Sequence, residues 1–388
     1  MKTICLLGAS GSIGLQTLEV IDQHPDRFTL ESISVGLNVQ AAKAMLETYD
    51  SIRFCYTIDD PSIHGLDQLF PDVVFFSGEH GLLDLINASQ ANWVVSALTG
   101  FAGFKPTLRA IERQKNIALA NKETLVAGGA LIMEAVQVHG VQLTPIDSEH
   151  SAIYQALAHH QKKEVASITL TASGGAFRDL SHDQLHDKTK EDALKHPNWQ
   201  MGAKITIDSA TMMNKGFEVM EAHWLYGLDY QDIQVLIQPE SLIHGFIEFV
   251  DGSIVAQLAG SDMRIPIAYA LSDQEHLPLK GSTLDFSKAL SFQLKPVEKG
   301  RYPLFDLALE VGPQGGILPI VLNAANEVAV QKFLLDEIDY YQLEAIVIQT
   351  VHSIDNRDIR DAQDVIDVDQ QARSLALEIA ERISYGIY

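Results

Sequence analysis

Apolar runs alternate with helical periodicity in the first third of the chain. Residues 4–7 form a continuous apolar run, which predicts a central strand covered on both faces. Leu15, Leu18 and Ile21 then recur at helical spacing until Pro25. Further strand candidates lie at residues 30–36, 72–78, 93–100 and 116–121. Because helix-like segments separate these runs, the pattern predicts an α/β fold with a Rossmann-like, doubly wound parallel sheet.

The pattern changes after residue 150. Residues 165–177 predict a strand that ends in a Ser-Gly-Gly turn, and residues 203–227 predict a strand followed by a helix. Residues 233–260 predict strands joined by a hairpin at Asp251 and Gly252. Hairpins suit a partly antiparallel sheet, so this part of the chain is predicted to form a central α+β domain.

The pattern of apolar residues in the last third of the chain predicts helices. Residues 272–300 carry the proline, glycine and charge of a linker, and four helical segments follow from Arg301. Asp339 and Gln342 open the third segment with the spacing of a capping box. These segments predict a C-terminal helical bundle with a bracing role. The predicted domain boundaries are 1–147, 148–271, 272–300 for the linker, and 301–388.

Charge and composition exclude several classes of partner. The formal net charge of −23 argues against nucleic acid or an anionic membrane, because phosphate backbones require clustered Lys and Arg. No apolar run reaches the roughly 18 residues of a membrane span, and the opening apolar patch is too short for a signal peptide. Cys5 and Cys55 form no CxxC pair. We therefore expect a reducing, cytoplasmic compartment.

Three glycines lie between the first strand and the first helix. Gly8, Gly11 and Gly14 form a G-x-x-G-x-x-G variant of the dinucleotide fingerprint, in which free N–H groups at the helix start attract a pyrophosphate. A merely tight turn is the alternative. The second strand runs into residues 36–38, which lack the acid that holds the ribose of NAD. The loop therefore favours NADP.

Three further stretches carry polar residues where a ligand could bind. Residues 121–123 follow a strand and precede a helix, the place where open α/β sheets bind ligands. Residues 171–179 combine a hydroxyl with a glycine turn that could hold an anion. Residues 193–205 lack apolar periodicity and contain Trp199, which suggests a mobile lid. The alternatives are a solvated turn for the first stretch and a plain surface loop for the third.

Two carboxylates, Asp147 and Glu149, lie beside residues of apolar character. In an extended segment they would point to the same face, and burying them unpaired would cost on the order of several kcal/mol. A divalent cation would relieve this cost, and an all-oxygen set suits Mg²⁺ or Mn²⁺. On a helix, Asn214 and Glu218 would share a face next to Lys215 and could offer a third ligand. A solvated strand end, a helix cap or a solvated glutamate are the alternatives.

Several motifs together resemble one known family. GASGSIG, ANKE, PIDSEHSAIYQ, TASGGAFRD, KHPNWQMGAKITIDSATMMNKGFEVMEA and LNAANEVAV occur in this order and resemble the 1-deoxy-D-xylulose 5-phosphate reductoisomerase family over essentially the whole chain. The resemblance implies an NADPH-dependent enzyme, with one Mg²⁺ or Mn²⁺ per subunit, that rearranges and reduces 1-deoxy-D-xylulose 5-phosphate to 2-C-methyl-D-erythritol 4-phosphate in the non-mevalonate isoprenoid pathway. It also implies a cytoplasmic homodimer that binds the phosphonate inhibitor fosmidomycin, with an NADPH-binding first domain and a second domain for catalysis and dimerisation.

The resemblance also implies roles for individual residues. The metal ligands are Asp147, Glu149 and Glu218, and the catalytic set adds Lys122 and His196. The substrate-binding residues are Lys122, Ser148, Glu149, Ser173, His196, Trp199, Ser209, Asn214, Lys215 and Glu218, of which Ser173, Ser209, Asn214 and Lys215 bind the phosphate. The NADPH-binding residues are Gly8, Ser10, Gly11, Ser12, Ile13, Gly14, Gly36, Leu37, Asn38, Asn121, Glu123, Gly202 and Met263.

Two residues depart from the family pattern in the cofactor site. Ser10 replaces a common threonine and keeps a hydroxyl, whereas Leu37 replaces a basic residue. The degree of preference for NADPH over NADH is therefore left open. Two other functions also stay open at this point: another NADP-linked dehydrogenase without metal dependence, and a non-catalytic NADP sensor. Activity that survives EDTA would favour the dehydrogenase.

Overall fold

The computed structural model describes residues 1–281, 283–287 and 289–384. Its contacts divide the chain into two compact units. The first unit comprises Met1–Thr124, Ile132–Ser151 and Asp262–Ser282, and the second comprises Leu125–Leu131, Ala152–Ser261 and Thr283–Tyr388. The four-part division expected from the sequence stays a prediction.

Strands and helices succeed one another along the described chain. The strands are β1 Lys2–Leu7, β2 Phe28–Ser34, β3 Phe54–Tyr56, β4 Val74–Phe76, β5 Trp93–Ser96, β6 Asn116–Leu119, β7 Leu143–Pro145, β8 Val165–Ala172, β9 Ile233–Ile237, β10 Ile243–Phe249, β11 Ile254–Leu258 and β12 Lys295–Pro296. The helices are α1 Ser12–Gln23, α2 Val39–Thr48, α3 Leu66–Leu69, α4 Gly78–Ala88, α5 Phe104–Glu112, α6 Lys122–His139, α7 Ser148–Ala156, α8 Lys190–Ala193, α9 Ala203–Ala210, α10 Met213–Tyr226, α11 Arg264–Leu271, α12 Pro303–Gln314, α13 Leu318–Leu334, α14 Tyr340–His352 and α15 Ala362–Ser384.

The first unit is built on a parallel sheet. In the described residues the sheet has seven strands in the order β4-β3-β2-β1-β5-β6-β7, and every neighbouring pair is parallel. The predicted doubly wound sheet is therefore confirmed, with β1 at its centre. Strand β3 was not predicted, because three residues are too few to show a periodic pattern.

The core of the first unit includes a segment that the sequence analysis assigned partly to a linker. Ile267 and Leu271 of α11 lie in the same apolar cluster as Ile4 and Leu6 of β1. The chain beyond α11 stays on this unit, where the carbonyl of Pro278 lies 3.0 Å from the ring Nε2 of His24. Residues 262–281 thus return to the first unit after the chain has passed through the second.

The second unit contains a mixed sheet. Its strands lie in the order β11-β10-β8-β9-β12, with β8 and β9 parallel and β10 antiparallel to both β8 and β11. The predicted hairpin at Asp251 and Gly252 joins β10 to β11 and is confirmed. The strands β8 and β9 begin at the predicted positions.

The strand predicted at the start of residues 203–227 is wrong, because Ala203–Ala210 form helix α9. Its three consecutive β-branched residues, 205–207, favour a strand, but the residues that become buried are Thr206, Ile207, Asp208 and Ala210. That spacing is helical, and a run this short does not separate the two periods. Tertiary contacts therefore override the local propensity.

The predicted C-terminal helices are confirmed as α12 to α15. The capping box at the start of α14 is also present, since Asp339 accepts a 2.8 Å bond from the Gln342 amide and Gln342 accepts a 2.9 Å bond from the Asp339 amide. Among the described residues, no helix combines the length and the apolar character that crossing a membrane requires.

The glycine loop between β1 and α1 has two glycines that the fold requires. Gly8 has φ +84°, and a Cβ there would lie 2.4 Å from the carbonyl oxygen of Ala97. A Cβ at Gly14 would lie 2.3 Å from the carbonyl oxygen of Gly8. Gly11 differs, because a Cβ there would lie 3.4 Å from its nearest neighbour, the carbonyl oxygen of Gly8. Gly8 and Gly14 are therefore packing glycines, and Gly11 leaves room at the helix N-terminus.

This difference predicts that a methyl group added at Gly14 destabilises the fold more than one added at Gly11. We expect Gly14→Ala to lower the free energy of unfolding by about 3 kcal/mol, roughly 6–12 °C in melting temperature, because two backbone segments must separate. Gly11→Ala is the matched control and should cost less than about 1 kcal/mol, the range of a changed N-cap. Thermal denaturation of both variants checks this, and equal losses would contradict the packing account.

Candidate active site

A buried ionic cluster lies in the first unit, next to the end of strand β7. Asp147 follows the end of that strand, and Lys122 opens α6. Lys122 Nζ donates a 2.9 Å hydrogen bond to Asp147 Oδ1, and their side chains are 8% and 11% exposed. His150 Nδ1 lies 3.1 Å from Asp147 Oδ2, and its side chain is fully buried. The sequence analysis did not identify His150 as a site residue. Its i, i+3 spacing from Asp147 was the signal that could have indicated it, because residues three apart on a helix are neighbours.

The expectation that Asp147 and Glu149 lie in one extended segment is wrong. Strand β7 ends at Pro145, and Glu149 lies in the first turn of α7. The positive end of the helix dipole favours a carboxylate there. The hydroxyl of Ser148 donates to Glu149. The two carboxylates are therefore positioned by a strand end and a helix start, not by alternation along a strand.

Asn121 fixes the start of α6. Its Oδ1 caps the helix by accepting from the Thr124 amide at 3.1 Å, and its Nδ2 donates to the carbonyls of Leu98 and Gly100 at 2.8 Å. Nδ2 also donates to Glu123 at 3.0 Å. Asn121 thus ties three segments together, and this arrangement orients the neighbouring Lys122.

The second unit holds a second buried ionic cluster on α10. Asn214 Nδ2 donates to Glu218 Oε1 at 2.6 Å, so these residues share a helical face as predicted. Lys215 Nζ donates to Glu218 Oε2 and to the carbonyl of Thr171 on β8. Glu218 and Lys215 are 1% and 3% exposed, so Glu218 is not the solvated glutamate that was the alternative.

The irregular segment that was interpreted as a lid is held by hydrogen bonds of its own unit. Residues 194–202 form neither helix nor strand. His196 Nδ1 accepts from the amides of Asn198 and Trp199 at 3.2 and 2.9 Å, so in the neutral imidazole the proton is on Nε2. That Nε2 lies 2.9 Å from Ser173 Oγ and can donate to it. Asn198 Nδ2 donates to the Pro239 carbonyl at 2.7 Å.

The Ser-Gly-Gly turn after β8 lies against α9. Gly175 has φ +69°, and a Cβ there would be 2.3 Å from the carbonyl oxygen of Ser209. Gly175 N donates to Ser173 Oγ at 3.1 Å. The turn therefore brings Ser173 beside the segment that carries Ser209, and only glycine permits this approach.

Most of the predicted cofactor residues of the first unit lie just after the carboxyl ends of β1 and β2. Ser10 Oγ donates to the Val35 carbonyl at 3.2 Å, and Gly8 N donates to Ser34 Oγ at 2.9 Å. Leu37 is 70% exposed beyond β2, and Asn38 caps α2. Gly11 is the N-cap of α1, and Ser12 is the first residue of that helix. Ile13 follows on α1 and packs against the core of this unit, as Met263 does. Gly36 has φ +61°. Gly202, in contrast, belongs to the second unit and is the N-cap of α9.

Comparison with known proteins covers nearly the whole chain. Residues 4–129 match the family profile described as 1-deoxy-D-xylulose 5-phosphate reductoisomerase, and residues 143–226 and 258–375 match two profiles of its C-terminal domains. A 1-deoxy-D-xylulose 5-phosphate reductoisomerase of Exiguobacterium sp. is 50% identical over 352 residues, 89% of this chain and 90% of the relative. One from Halalkalibacterium halodurans is 45% identical over 96% of this chain and 98% of the relative.

Solved structures agree with the sequence comparisons. The reductoisomerase from Zymomonas mobilis in complex with NADPH is 37% identical, with a TM-score of 0.90 over 98% of this chain and 99% of that one. A DOX-P reductoisomerase in complex with NADPH, fosmidomycin and magnesium is 34% identical, with a TM-score of 0.92 over 99% of both chains. The chain therefore belongs to the 1-deoxy-D-xylulose 5-phosphate reductoisomerase family.

Proposed function

We propose that this protein converts 1-deoxy-D-xylulose 5-phosphate to 2-C-methyl-D-erythritol 4-phosphate in the non-mevalonate isoprenoid pathway, with NADPH as reductant and a divalent metal ion. Family membership over nearly the whole chain supports the assignment, as do relatives crystallised with NADPH, fosmidomycin and magnesium. The observation that carries it is the pair of buried carboxylates, Asp147 and Glu218, each hydrogen-bonded to a buried lysine.

The proposed metal ligands are Asp147, Glu149 and Glu218, for one divalent ion per subunit. The donor set fits the ion, because carboxylate oxygens are the ligands that Mg²⁺ and Mn²⁺ prefer. Three carboxylates with Lys122 and Lys215 leave a formal charge of −1, which a divalent ion would change to +1. A bound ion would supply Lewis-acid polarisation of the carbonyl and hydroxyl oxygens of the substrate.

The side chains of the protein would bind and orient the sugar phosphate. Lys122, Ser148 and Glu149 are proposed to contact its carbonyl and hydroxyl groups, and the Lys122–Asp147 bond supports a fixed ammonium position. Ser173, Ser209, Asn214 and Lys215 are proposed to bind the phosphate. The contact of Gly175 with Ser209 supports this, since it keeps two of these serines in adjacent segments of the second unit.

His196 and Trp199 are proposed to close over the bound substrate. The segment 194–202 has no regular structure, and side-chain bonds from His196 and Asn198 define its conformation. Such bonds can exchange without breaking a helix or a strand. Binding energy from the distant phosphate would drive the closure and exclude water from the reacting carbons.

NADPH is proposed to bind along the first unit. Its pyrophosphate would lie at the N-terminus of α1, near Gly8, Ser10, Gly11, Ser12, Ile13 and Gly14. The helix dipole and the room beside Gly11 support this position. Gly36, Leu37 and Asn38 would adjoin the adenosine ribose, where the absence of an acid supports NADPH over NADH. Asn121, Glu123, Gly202 and Met263 are proposed as further contacts.

We also propose a cytoplasmic homodimer that binds fosmidomycin through its phosphonate. Strand β11 supports dimerisation, because it is an edge strand on which Ile254, Val255 and Leu258 are exposed. The thiols support a reducing compartment. Cys5 and Cys55 are buried and free, and burial raises the pKa of each thiol to about 12, so neither is poised to form a disulfide.

The proposed function predicts a specific metal dependence. With deoxyxylulose phosphate and Mg²⁺ or Mn²⁺, we expect the protein to oxidise NADPH, which can be followed by the loss of its absorbance. EDTA should abolish turnover, and added metal should restore it. Turnover that persists in EDTA would instead favour a metal-independent dehydrogenase, and NADPH binding without any turnover would favour a sensor.

Glu218→Gln should separate metal chemistry from cofactor binding. We expect kcat to fall by about three orders of magnitude, because a ligand that stabilises developing charge contributes several kcal/mol. The affinity for NADPH should stay within about twofold, since all of its proposed contacts except Gly202 lie on the first unit. Glu337→Gln, a partly exposed residue paired with Lys332, is the charge-matched control. Parallel losses of kcat and NADPH affinity would contradict the metal assignment.

Leu37→Arg should strengthen cofactor discrimination. An exposed guanidinium at this position would reach the 2′-phosphate, so we expect NADPH affinity to rise about fivefold relative to NADH. Leu69→Arg adds the same charge at another exposed leucine of the first unit and controls for long-range attraction. Titration of both cofactors measures the ratio. If the ratio does not change, position 37 does not read the phosphate.

A further inference from the structure

One feature of the motif LNAANEVAV is not explained by the proposed site: its asparagines lie within a buried, largely apolar helix. Asn323 and Asn326 on α13 are both fully buried. Burying an amide is unfavourable unless it forms hydrogen bonds, so each side chain needs a partner. Asn323 Nδ2 bonds to Glu327 of its own helix at 3.0 Å. Asn326 Nδ2 instead donates to Asp208 Oδ1 on α9 at 2.8 Å.

Asp208 receives bonds from two directions. It is 2% exposed, and its Oδ2 lies 2.8 Å from Lys204 Nζ one turn earlier on α9. Its Oδ1 accepts from Asn326, which is 118 residues away in the chain. A buried carboxylate keeps its orientation when charged or amide donors occupy both oxygens. Helix α9 is therefore bound to α13 at the residue immediately before Ser209.

A second contact holds the end of α9. Tyr340 is 1% exposed at the start of α14, and its hydroxyl donates to the carbonyl of Ala210 at 3.3 Å. The residues on either side of Ser209 are thus each bonded to a different helix of the C-terminal region. These contacts belong to a single compact unit.

Helix α9 depends on such external contacts. It has only eight residues, and isolated helices of that length are unstable in water. It leads into α10 through Met212, whose φ of +60° is in the left-handed region and costs on the order of 1 kcal/mol for a residue with a side chain. Local structure therefore does not suffice to position Ser209.

We infer that Asn326 and Tyr340 are positioning residues for phosphate recognition. By holding Asp208 and Ala210, they keep Ser209 against the turn at Gly175 that carries Ser173. The C-terminal helices then determine substrate affinity in addition to bracing the fold. The inference rests on the proposed function, in which Ser173 and Ser209 bind the phosphate of the sugar.

Asn326→Leu tests the inference. The leucine keeps the branched shape of asparagine, although it is larger, and removes the bond to Asp208. We expect the KM for deoxyxylulose phosphate and the Kd for fosmidomycin to rise together by about tenfold, while kcat at saturation stays within about threefold. Asn323→Leu is the matched control, because its bond stays within α13; we expect its KM to change less than about twofold.

Rescue and a milder variant complete the test. The double variant Asp208→Asn with Asn326→Asp exchanges the two side chains. It restores one amide–carboxylate bond, so its KM should return to within about threefold of the wild-type value. Should Asn326→Leu not fold, Tyr340→Phe removes only the hydroxyl and should raise KM about threefold. Tyr341→Phe, whose hydroxyl bonds to the His182 carbonyl instead, is its control and should not.

The outcomes separate the inference from the proposed function. Suppose that the wild-type protein turns over deoxyxylulose phosphate, but that the KM of each variant is unchanged or matches the KM of its control. This result overturns the positioning role alone. A loss of kcat without a rise in KM does the same, since it indicates a merely structural effect. A wild-type protein without turnover overturns the proposed function, and the inference with it.

Discussion

The pairing of buried carboxylates with buried lysines is the constraint on which this protein depends. An isolated carboxylate in a protein interior is destabilising by several kcal/mol, and removing one partner of a buried pair costs about 3–5 kcal/mol. Lys122 holds Asp147 in the first unit, and Lys215 holds Glu218 in the second. Each pair maintains a charged oxygen away from water. Hard divalent ions such as Mg²⁺ prefer oxygen ligands of this kind.

Contacts from other segments of the chain hold the elements that present these groups. Lys122 starts a helix that Asn121 caps through bonds to the carbonyls of two other segments. In the same way, the eight-residue α9 is bonded to helices that lie more than 100 residues later in the chain. A catalytic surface built from strand ends and helix starts exposes backbone groups to a ligand. Its precision therefore comes from long-range contacts and not from the elements themselves.

Much of the fold follows from local periodicity, and the errors have identifiable causes. Most of the parallel strands were predicted from continuous apolar runs, the hairpin at residues 251–252 from its Asp-Gly turn, and the four C-terminal helices from their helical period. Helix α9 was predicted as a strand because three consecutive β-branched residues favour a strand. Glu149 was placed on a strand for a related reason: the chemistry of residues 147–149 does not indicate where β7 ends.

The sequence by itself determined the family, the glycine loop and the identity of the acidic, basic and hydroxyl side chains, because each is a property of contiguous residues. Only the tertiary structure decided which lysine meets which carboxylate, that His150 joins Asp147, that residues 262–281 return to the first unit, and that Asn326 reaches Asp208. The physical reason is distance along the chain. Lys122 and Asp147 are 25 residues apart and Asn326 and Asp208 are 118 apart, and no local period records a contact at such separations.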